Sequence, residues 1–329
     1  MSSGSDRKLT VGAFGMLTWD QLLRVETFPR AGSYQVVQQS SEQSGGTTGN
    51  MSVALARLGV DVSIASRVGD DQTGDQIIAD LQSEGCITDH VLKKPDVPTD
   101  QGVIIVSGTG ADADRTILWK QGARLKHGDF LPIEKFFAMD LVIVDVDDPR
   151  LRLLLLDLPM HVSPRTRIFG TMTFLAELES HQALELALRH DYLCGNMAEL
   201  MHATETDNAP AAIERFQREM VLSQVRFALI SDGARGCTIV ERESVRHVPA
   251  FPVLVQDPTG AGDAFAAGAA YAIMQYWDID RTAQFANAMG ALATREFGAR
   301  SALPTLSEVQ DLLSHSPAGS TDASNQPDN

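Results

Sequence analysis

The stretch Asp257-Pro258-Thr259-Gly260-Ala261-Gly262-Asp263, continued by Ala264-Phe265-Ala266-Ala267-Gly268-Ala269-Ala270-Tyr271, decides how the chain is read. Its second half is a run of small apolar residues that reads as a buried helix, and its first half is a turn leading into that helix. In Gly260-Ala261-Gly262 the amide N–H groups can converge at the helix N-terminus, where unpaired donors and the positive end of the dipole suit an anion. A phosphoryl oxygen fits such a turn. A carboxylate beside it, Asp263, can accept a proton from an attacking hydroxyl, which completes the minimal equipment for phosphoryl transfer. Taken alone, the same residues also read as an N-capping aspartate after a tight glycine turn.

Working outward, residues 9–15 form a short apolar run ending in glycine, a buried strand that opens the fold. From residue 50, Met51, Ala54, Leu55 and Leu58 follow helical spacing, Gly59 supplies a stop, and residues 62–65 read as a strand. A helix over 73–84 follows. The alternation recurs as a strand at 141–145, a helix over 177–189, a strand at 192–194, a helix over 211–221 and a strand at 227–231. Alternating strands and helices predict an α/β fold, a doubly wound and mainly parallel sheet in three layers. Residues 17–44 and 99–123 break the rhythm with β-like alternation and no convincing helix, so they predict an accessory sheet that serves as a lid. The domain is expected over residues 9–315, with a loose N-terminus at 1–8 and a small, polar, disordered tail at 316–329.

Composition bounds what the protein binds. Hydrophobic residues make up 43% and charged residues 21%, as in an ordinary globular chain. The net charge of −16 opposes a nonspecific nucleic-acid or anionic-membrane surface, so an anionic ligand must meet a local positive site. Cys86, Cys194 and Cys237 are far apart with no CxxC spacing, which argues against disulfides and zinc and fits a reducing cytoplasm. No basic, apolar leader opens the chain, and the longest apolar stretch, 264–277, is too short to span a bilayer. A cytoplasmic location is the expectation.

Three motifs in order along the chain carry a resemblance. Asp257 to Asp263 resembles the second signature of the ribokinase-like PfkB family, a DTxGAGD-type segment leading into a helix. Ser44-Gly45-Gly46-Thr47-Thr48-Gly49-Asn50, with Ala54 to Gly59 and Val68-Gly69-Asp70-Asp71-Gln72-Thr73-Gly74, resembles its first signature. Asn196-Met197-Ala198-Glu199 resembles its NxxE motif, and the likeness runs over roughly residues 9–310. The resemblance implies a ribokinase-like fold and an ATP-dependent kinase acting on a sugar or related small molecule. It implies that Asp263 is the base and that Gly260, Ala261 and Gly262 form the anion hole. Asn196 and Glu199 would organise Mg²⁺ through waters, because Mg²⁺ keeps its hydration shell. Asn196 would also sit at the nucleotide.

By the same resemblance Asp20, Gly45, Gly46 and Asn50 would line the acceptor pocket, with Asp147 nearby, since carboxylate and amide groups direct hydrogen bonds to a polyol. Ser231, Gly233 and Gly236 would contact ATP, and Asn287 and Gly298 would lie by the adenine. Asp257 marks the place of a monovalent cation in some relatives. Bland alternatives stand beside these roles: a capped short helix for Asn196 to Glu199, a hairpin turn for residues 231–236, and a flexible turn for Gly45-Gly46. Pro258 stands where the family has Thr, Thr47 where ribokinases have Lys, and Thr18 where an Asn often binds sugar, so ribose as the acceptor does not follow. A homodimer through exposed lid edges is expected.

Other readings fare worse. Gly108 to Ala113 fits a relaxed GxGxxA fingerprint, but β-like residues follow where a helix should open, so a hairpin turn is favoured. No Gly-Lys pair, HxxxH spacing or GxSxG occurs, which removes Walker A, metalloprotease and esterase readings. A nucleoside kinase of the same family and a non-catalytic ligand-binding regulator on the kinase fold remain as alternatives.

Overall fold

Short apolar strands alternate with helices through the computed structural model, which describes residues 7–108, 114–159 and 166–315. The first half runs β1 (Thr10–Gly15), β2 (Thr18–Val25), β3 (Gln39–Gly45), α1 (Thr47–Arg57), β4 (Asp61–Gly69), α2 (Gln72–Ser83), β5 (Ile87–Lys94), β6 (Gln101–Ser107), β7 (Asp114–Lys120) and α3 (Ile133–Phe137). The second half runs β8 (Leu141–Asp145), α4 (Pro149–Asp157), β9 (Ile168–Thr171), α5 (Ser180–Ala187), β10 (Tyr192–Asn196), α6 (Met197–Ala203) and α7 (Ala209–Met220). It ends with β11 (Phe227–Ser231), β12 (Cys237–Val240), β13 (Val245–Val248), α8 (Ala261–Met274), α9 (Ile279–Ala293) and α10 (Leu306–Ser314).

Nine strands form one sheet in the order β13-β12-β11-β10-β9-β8-β1-β4-β5. Pairing is parallel from β5 to β11 and antiparallel only at the β11–β12–β13 edge. Alternate side chains feed two cores: Val11, Ala13, Leu141 and Ile143 pack with α1, α2, α8 and α9, whereas Phe14, Val142 and Val144 pack with α3, α4, α5 and α7. That division across the pleat gives the three layers. The small residues of α8 let it lie close to its neighbours, and a side chain at Gly268 would meet Met289 and Ala286 of α9.

The sheet changes direction of growth between β1 and β8. Parallel α/β sheets bind ligands outside the carboxyl ends of their strands at such a switch. Here those ends are Gly15, Asp145, Thr171, Asn196 and Ser231. Over them lies a four-stranded sheet, β3-β2-β6-β7. It is mixed, because β2 pairs with β6 in parallel. Its underside packs Leu22, Ile104 and Val106 on Phe297, and Arg24 donates to the Gln256 carbonyl oxygen at 2.7 Å while lying over the Phe297 ring.

Several elements depart from the sequence reading. Helix α1 begins at Thr47 rather than 50, because Gly46, at φ 83°, turns the chain directly from β3 into the helix. The helix read over 177–189 is a 3-10 turn at Leu175–Glu177 followed by α5, with Leu178 extended between them. Strands β5 and β9 were not anticipated; β5 is a sheet edge with a mostly polar, half-exposed sequence. The readings of residues 1–6 and of the 316–329 tail lie outside the described residues, as do 109–113 of the GxGxxA segment. The strands flanking that segment pair antiparallel, Ser107 opposite Asp114. No helix among the described residues is long and apolar enough to cross a membrane.

Candidate active site

A cavity of about 330 Å³ opens between the carboxyl ends of the strands, the N-terminus of α8 and the small sheet. Its walls include Asp20, Gly46, Asn50, Asn196, Glu199, Ser231, Gly260, Gly262 and Asp263. Motifs far apart in the chain therefore meet in one place. Of the other anticipated site residues, Gly45, Asp147, Gly233, Gly236, Asp257, Ala261, Asn287 and Gly298 are not on its walls.

Gly260 adopts φ 80°, which a residue without Cβ tolerates, and thereby starts α8 without a side-chain cap. The Ala261 N–H closes the turn by donating to the Pro258 carbonyl oxygen at 3.2 Å. The N–H groups of Gly260 and Gly262 have no partner among the described residues, so these two, rather than Ala261, are the donors free for an oxyanion. Asp263 follows in the first turn, and its Oδ2 accepts from the Asn50 amide at 2.7 Å. It is a bonded carboxylate facing the cavity, not the N-cap of α8. Burial lifts the Asp263 carboxyl to about 7; the Asn50 amide and Arg115 pull it down, and Asp145 and Asp20 add to the rise.

Asp20 faces the cavity from β2. The Thr18 hydroxyl donates to its Oδ1 at 2.8 Å. Burial raises Asp20 to about 6 against the pull of Thr18, Arg300 and the Gly46 N–H. Gly45 and Gly102 lie on either side of this carboxylate, and a Cβ at either would run into it. Gly45 thus serves the pocket by vacating space rather than by lining it.

Asn196 and Glu199 form a capping box at the start of α6: each backbone N–H donates to the other's side chain at 2.9 Å. The capping box is as the capped-helix reading has it, and it leaves one Glu199 oxygen outside the box. Burial raises Glu199 to about 7, with Asp145 and Asp263 adding to the rise. No group of three His, Cys, Asp or Glu that could hold a metal occurs among the described residues. One carboxylate oxygen fits Mg²⁺ that keeps most of its waters and takes its other ligands from phosphate.

Asp257 is fully buried. Its Oδ1 accepts from the Thr259 N–H and its Oδ2 from the Gly298 N–H, both at 2.9 Å. It braces the glycine turn against the loop after α9, each oxygen accepting one backbone N–H. Gly298, at φ 115°, is the other half of that brace. The Asn287 amide donates to the Val248 and Pro249 carbonyl oxygens, each at 3.1 Å. Gly233 and Gly236 shape the hairpin turn from β11 to β12, where a Cβ on Gly236 would strike the Val248 carbonyl oxygen. Asp147 is ion-paired with Arg124.

Five further residues escaped the sequence reading. Arg115, the second residue of β7, is the only Lys or Arg on the cavity wall among the described residues, and its Nη1 donates to the Pro258 carbonyl oxygen at 3.3 Å. It puts a positive charge at the cavity of an acidic chain. Arg300, buried beneath the pocket, donates to Asn50. Thr171 lines the cavity and donates to the buried Asp145 at 2.6 Å. Trp119 and Phe174 form an aromatic wall with ring centroids 6.3 Å apart. The hints were faint: a lone arginine among small residues at Ala299-Arg300-Ser301-Ala302, and a basic residue near the start of a lid strand.

The chain matches the pfkB family carbohydrate kinases over residues 10–306. A ribokinase of Bacillus subtilis (strain 168) is 26% identical over 307 residues, covering 91% of this chain and 98% of the relative. Solved structures share the fold, among them the two that follow. Arabidopsis thaliana ribokinase complexed with ribose and ATP gives a TM-score of 0.78 at 20% identity, covering 94% of this chain and 100% of that one. A Burkholderia thailandensis nucleoside kinase in complex with inosine gives 0.73 at 20% identity, covering 92% and 97%. With the match spanning nearly every described element and the signature residues gathered around one cavity, this chain belongs to the pfkB family of carbohydrate kinases.

Proposed function

We propose that the protein transfers the γ-phosphoryl group of ATP to a hydroxyl of a sugar or a sugar-bearing small molecule. The observation that carries this reading is the position of Asp263, a carboxylate held by the Asn50 amide between the polar grip of Asp20 and the open N-terminus of α8. Asp20, Asn50 and the backbone of Gly46 orient the acceptor. Asp263 takes the hydroxyl proton as the oxygen attacks phosphorus in line. The Gly260 and Gly262 N–H groups and Arg115 meet the negative charge on the transferring group. Mg²⁺, held on its protein side by Glu199 through water, would neutralise phosphate charge. The small sheet excludes water and acts as the lid.

Purified protein with ATP, Mg²⁺ and a panel of sugars, sugar acids and nucleosides tests the reading through ADP release. ADP formation dependent on one acceptor is expected. No ADP with any acceptor, despite measurable binding, would favour a non-catalytic regulator. The wall of Trp119 and Phe174, with Ile104 and Ile117, favours a second reading in which the acceptor is a nucleoside, since a planar base packs on aromatic faces. A higher kcat/KM for inosine than for ribose in the same panel selects it.

Two more outcomes follow. Asp263 must be ionised to accept a proton, so kcat/KM rises with pH through about 7. Stability moves the other way. Asp20, Asp263 and Glu199 titrate higher in the fold than in the unfolded chain, so their contribution is full below about 4 and is lost as pH rises through 6 to 7. The Tm of the ligand-free protein should fall between pH 5 and pH 8, and a rise would contradict the burial of these groups. The lid also leaves β3 and β7 as edge strands, with Ile117 and Leu118 of β7 exposed, and a homodimer through these edges is part of the proposal. Sedimentation should give a dimer at micromolar concentration; a monomer throughout counts against it.

A further inference from the structure

Arg300 lies in the loop between α9 and α10 and is 8% exposed. Its Nε donates to Asn50 Oδ1 at 2.8 Å, and Asn50 Nδ2 donates to Asp263 Oδ2 at 2.7 Å. The two ends of a carboxamide are nearly identical in shape, and only their partners decide which way it faces. A guanidinium has donors and no acceptor, so it admits only the amide oxygen. The Asn50 N–H groups are then compelled towards Asp263.

The same guanidinium has a second attachment. Its Nη2 donates to the Gly45 carbonyl oxygen at 3.3 Å, on the strand whose missing side chain makes room for Asp20. Gly49 of α1 lacks a side chain where that nitrogen passes. Arg57 fixes the backbone beneath it by donating to the Arg300 carbonyl oxygen at 3.1 Å. Cys86, Asp20, Asp80 and Glu84 face the guanidinium, and although burial lowers it to about 10, it stays charged at neutral pH.

We infer that Arg300 is a positioning residue for phosphoryl transfer: it locks the Asn50 amide so that an N–H points at the Asp263 carboxylate, and it ties that lock to the strand beside the acceptor grip. The inference rests on the reading of Asp263 as the base. Asp263 is faced by Asn50 from α1, Arg115 from β7, Asp145 from β8, Asp20 from β2 and Glu199 across the cavity. Of these only Asn50 makes a direct hydrogen bond to it, so a freely turning amide removes a donor that favours the ionised form.

The test compares R300K, R300Q and R300M with N50A and the R300M/N50A double variant. Titration of the Asp263 carboxyl is followed in the ligand-free protein by 13C NMR, assigned by difference from D263N, beside Tm and the kcat of ADP release with ribose or inosine. R300K keeps a pure donor and should titrate as the wild type. R300Q, which can donate or accept, should move the Asp263 titration up, and R300M further, by about one unit with a tenfold to hundredfold lower kcat. The double variant should titrate as N50A does. Equal titration in R300K and R300Q, or additive effects of R300M and N50A, overturns the inference; R300K and R300Q suffice if R300M does not fold. Turnover persisting in D263N would instead overturn the base assignment, which the titration does not depend on.

Discussion

Asp263→Asn should lower kcat by about 10²- to 10⁴-fold, the usual contribution of a positioned general base, while leaving ATP and acceptor binding near wild type. The replacement is close to isosteric, and the new amide oxygen can accept the Asn50 N–H that now reaches Asp263 Oδ2. What disappears is the capacity to take a proton. The structure supplies a control against trivial loss of folding. Asp263 is a carboxyl that burial makes costly to ionise, so removing its charge should raise the Tm above pH 7. An inactive variant that is also the more stable one at pH 8 is the expected pair of results. Substantial kcat in this variant would falsify the base assignment.

The second large effect is expected at Gly260. Its φ of 80° is strained for any residue with a Cβ, and that Cβ would lie 2.5 Å from the Ala299 carbonyl oxygen and 2.8 Å from its Cα. Gly260→Ala must therefore rotate the turn or push back the loop that carries Gly298 and Arg300. Rotation swings the Gly260 and Gly262 N–H groups off the oxyanion, and losing one such donor costs about 10² to 10³ in kcat. Backbone strain of this kind adds roughly 1–3 kcal/mol of destabilisation. Gly262→Ala provides the contrast, because nothing lies within 4 Å of its Cβ position. It should keep the wild-type Tm, and any fall in kcat then reports crowding of the phosphate seat. Equal losses of Tm in both variants would contradict the geometry of the turn.

Local, contiguous features were legible before the structure. The glycine turn, the helix it opens, the paired Asn196 and Glu199, and the alternation of strands with helices all lie within a few neighbouring residues, where backbone preference and hydrogen-bond chemistry act directly. The relay of Arg300, Asn50 and Asp263 was not legible, since it joins residues 250 and 213 positions apart through single side chains. Trp119 and Arg115 were missed because period-2 alternation places a strand residue on a face without saying what that face covers, and Phe174 because it sits in the turn after β9, where no periodicity acts. Other residues named from motif position lie off the cavity wall. Asp147 has the right chemistry for a polyol, but Arg124, stacked on Trp119 at 4.8 Å, holds it as an ion pair off the cavity wall. The Gly298 N–H donates to Asp257 and the Asn287 amide to the Val248 carbonyl oxygen, bonds between distant segments that motif position does not reveal. Thr47, which leaves ribose in doubt, lies on the cavity wall, where a residue that differs from relatives can alter selectivity.

The Arg300 relay also orders events in time. Chains emerge from the ribosome N-terminus first, and their early elements begin to fold while later ones are still being made. Asp20 and Asn50 are synthesised early, Asp263 in the last quarter of the chain, and Arg300 later still. The cavity itself is unfinished until then, because its walls include residues from Asn196 to Ala299. The relay closes only when α8 and the loop beyond α9 dock against α1, so a chain that ends before residue 300 lacks the group that turns the Asn50 amide.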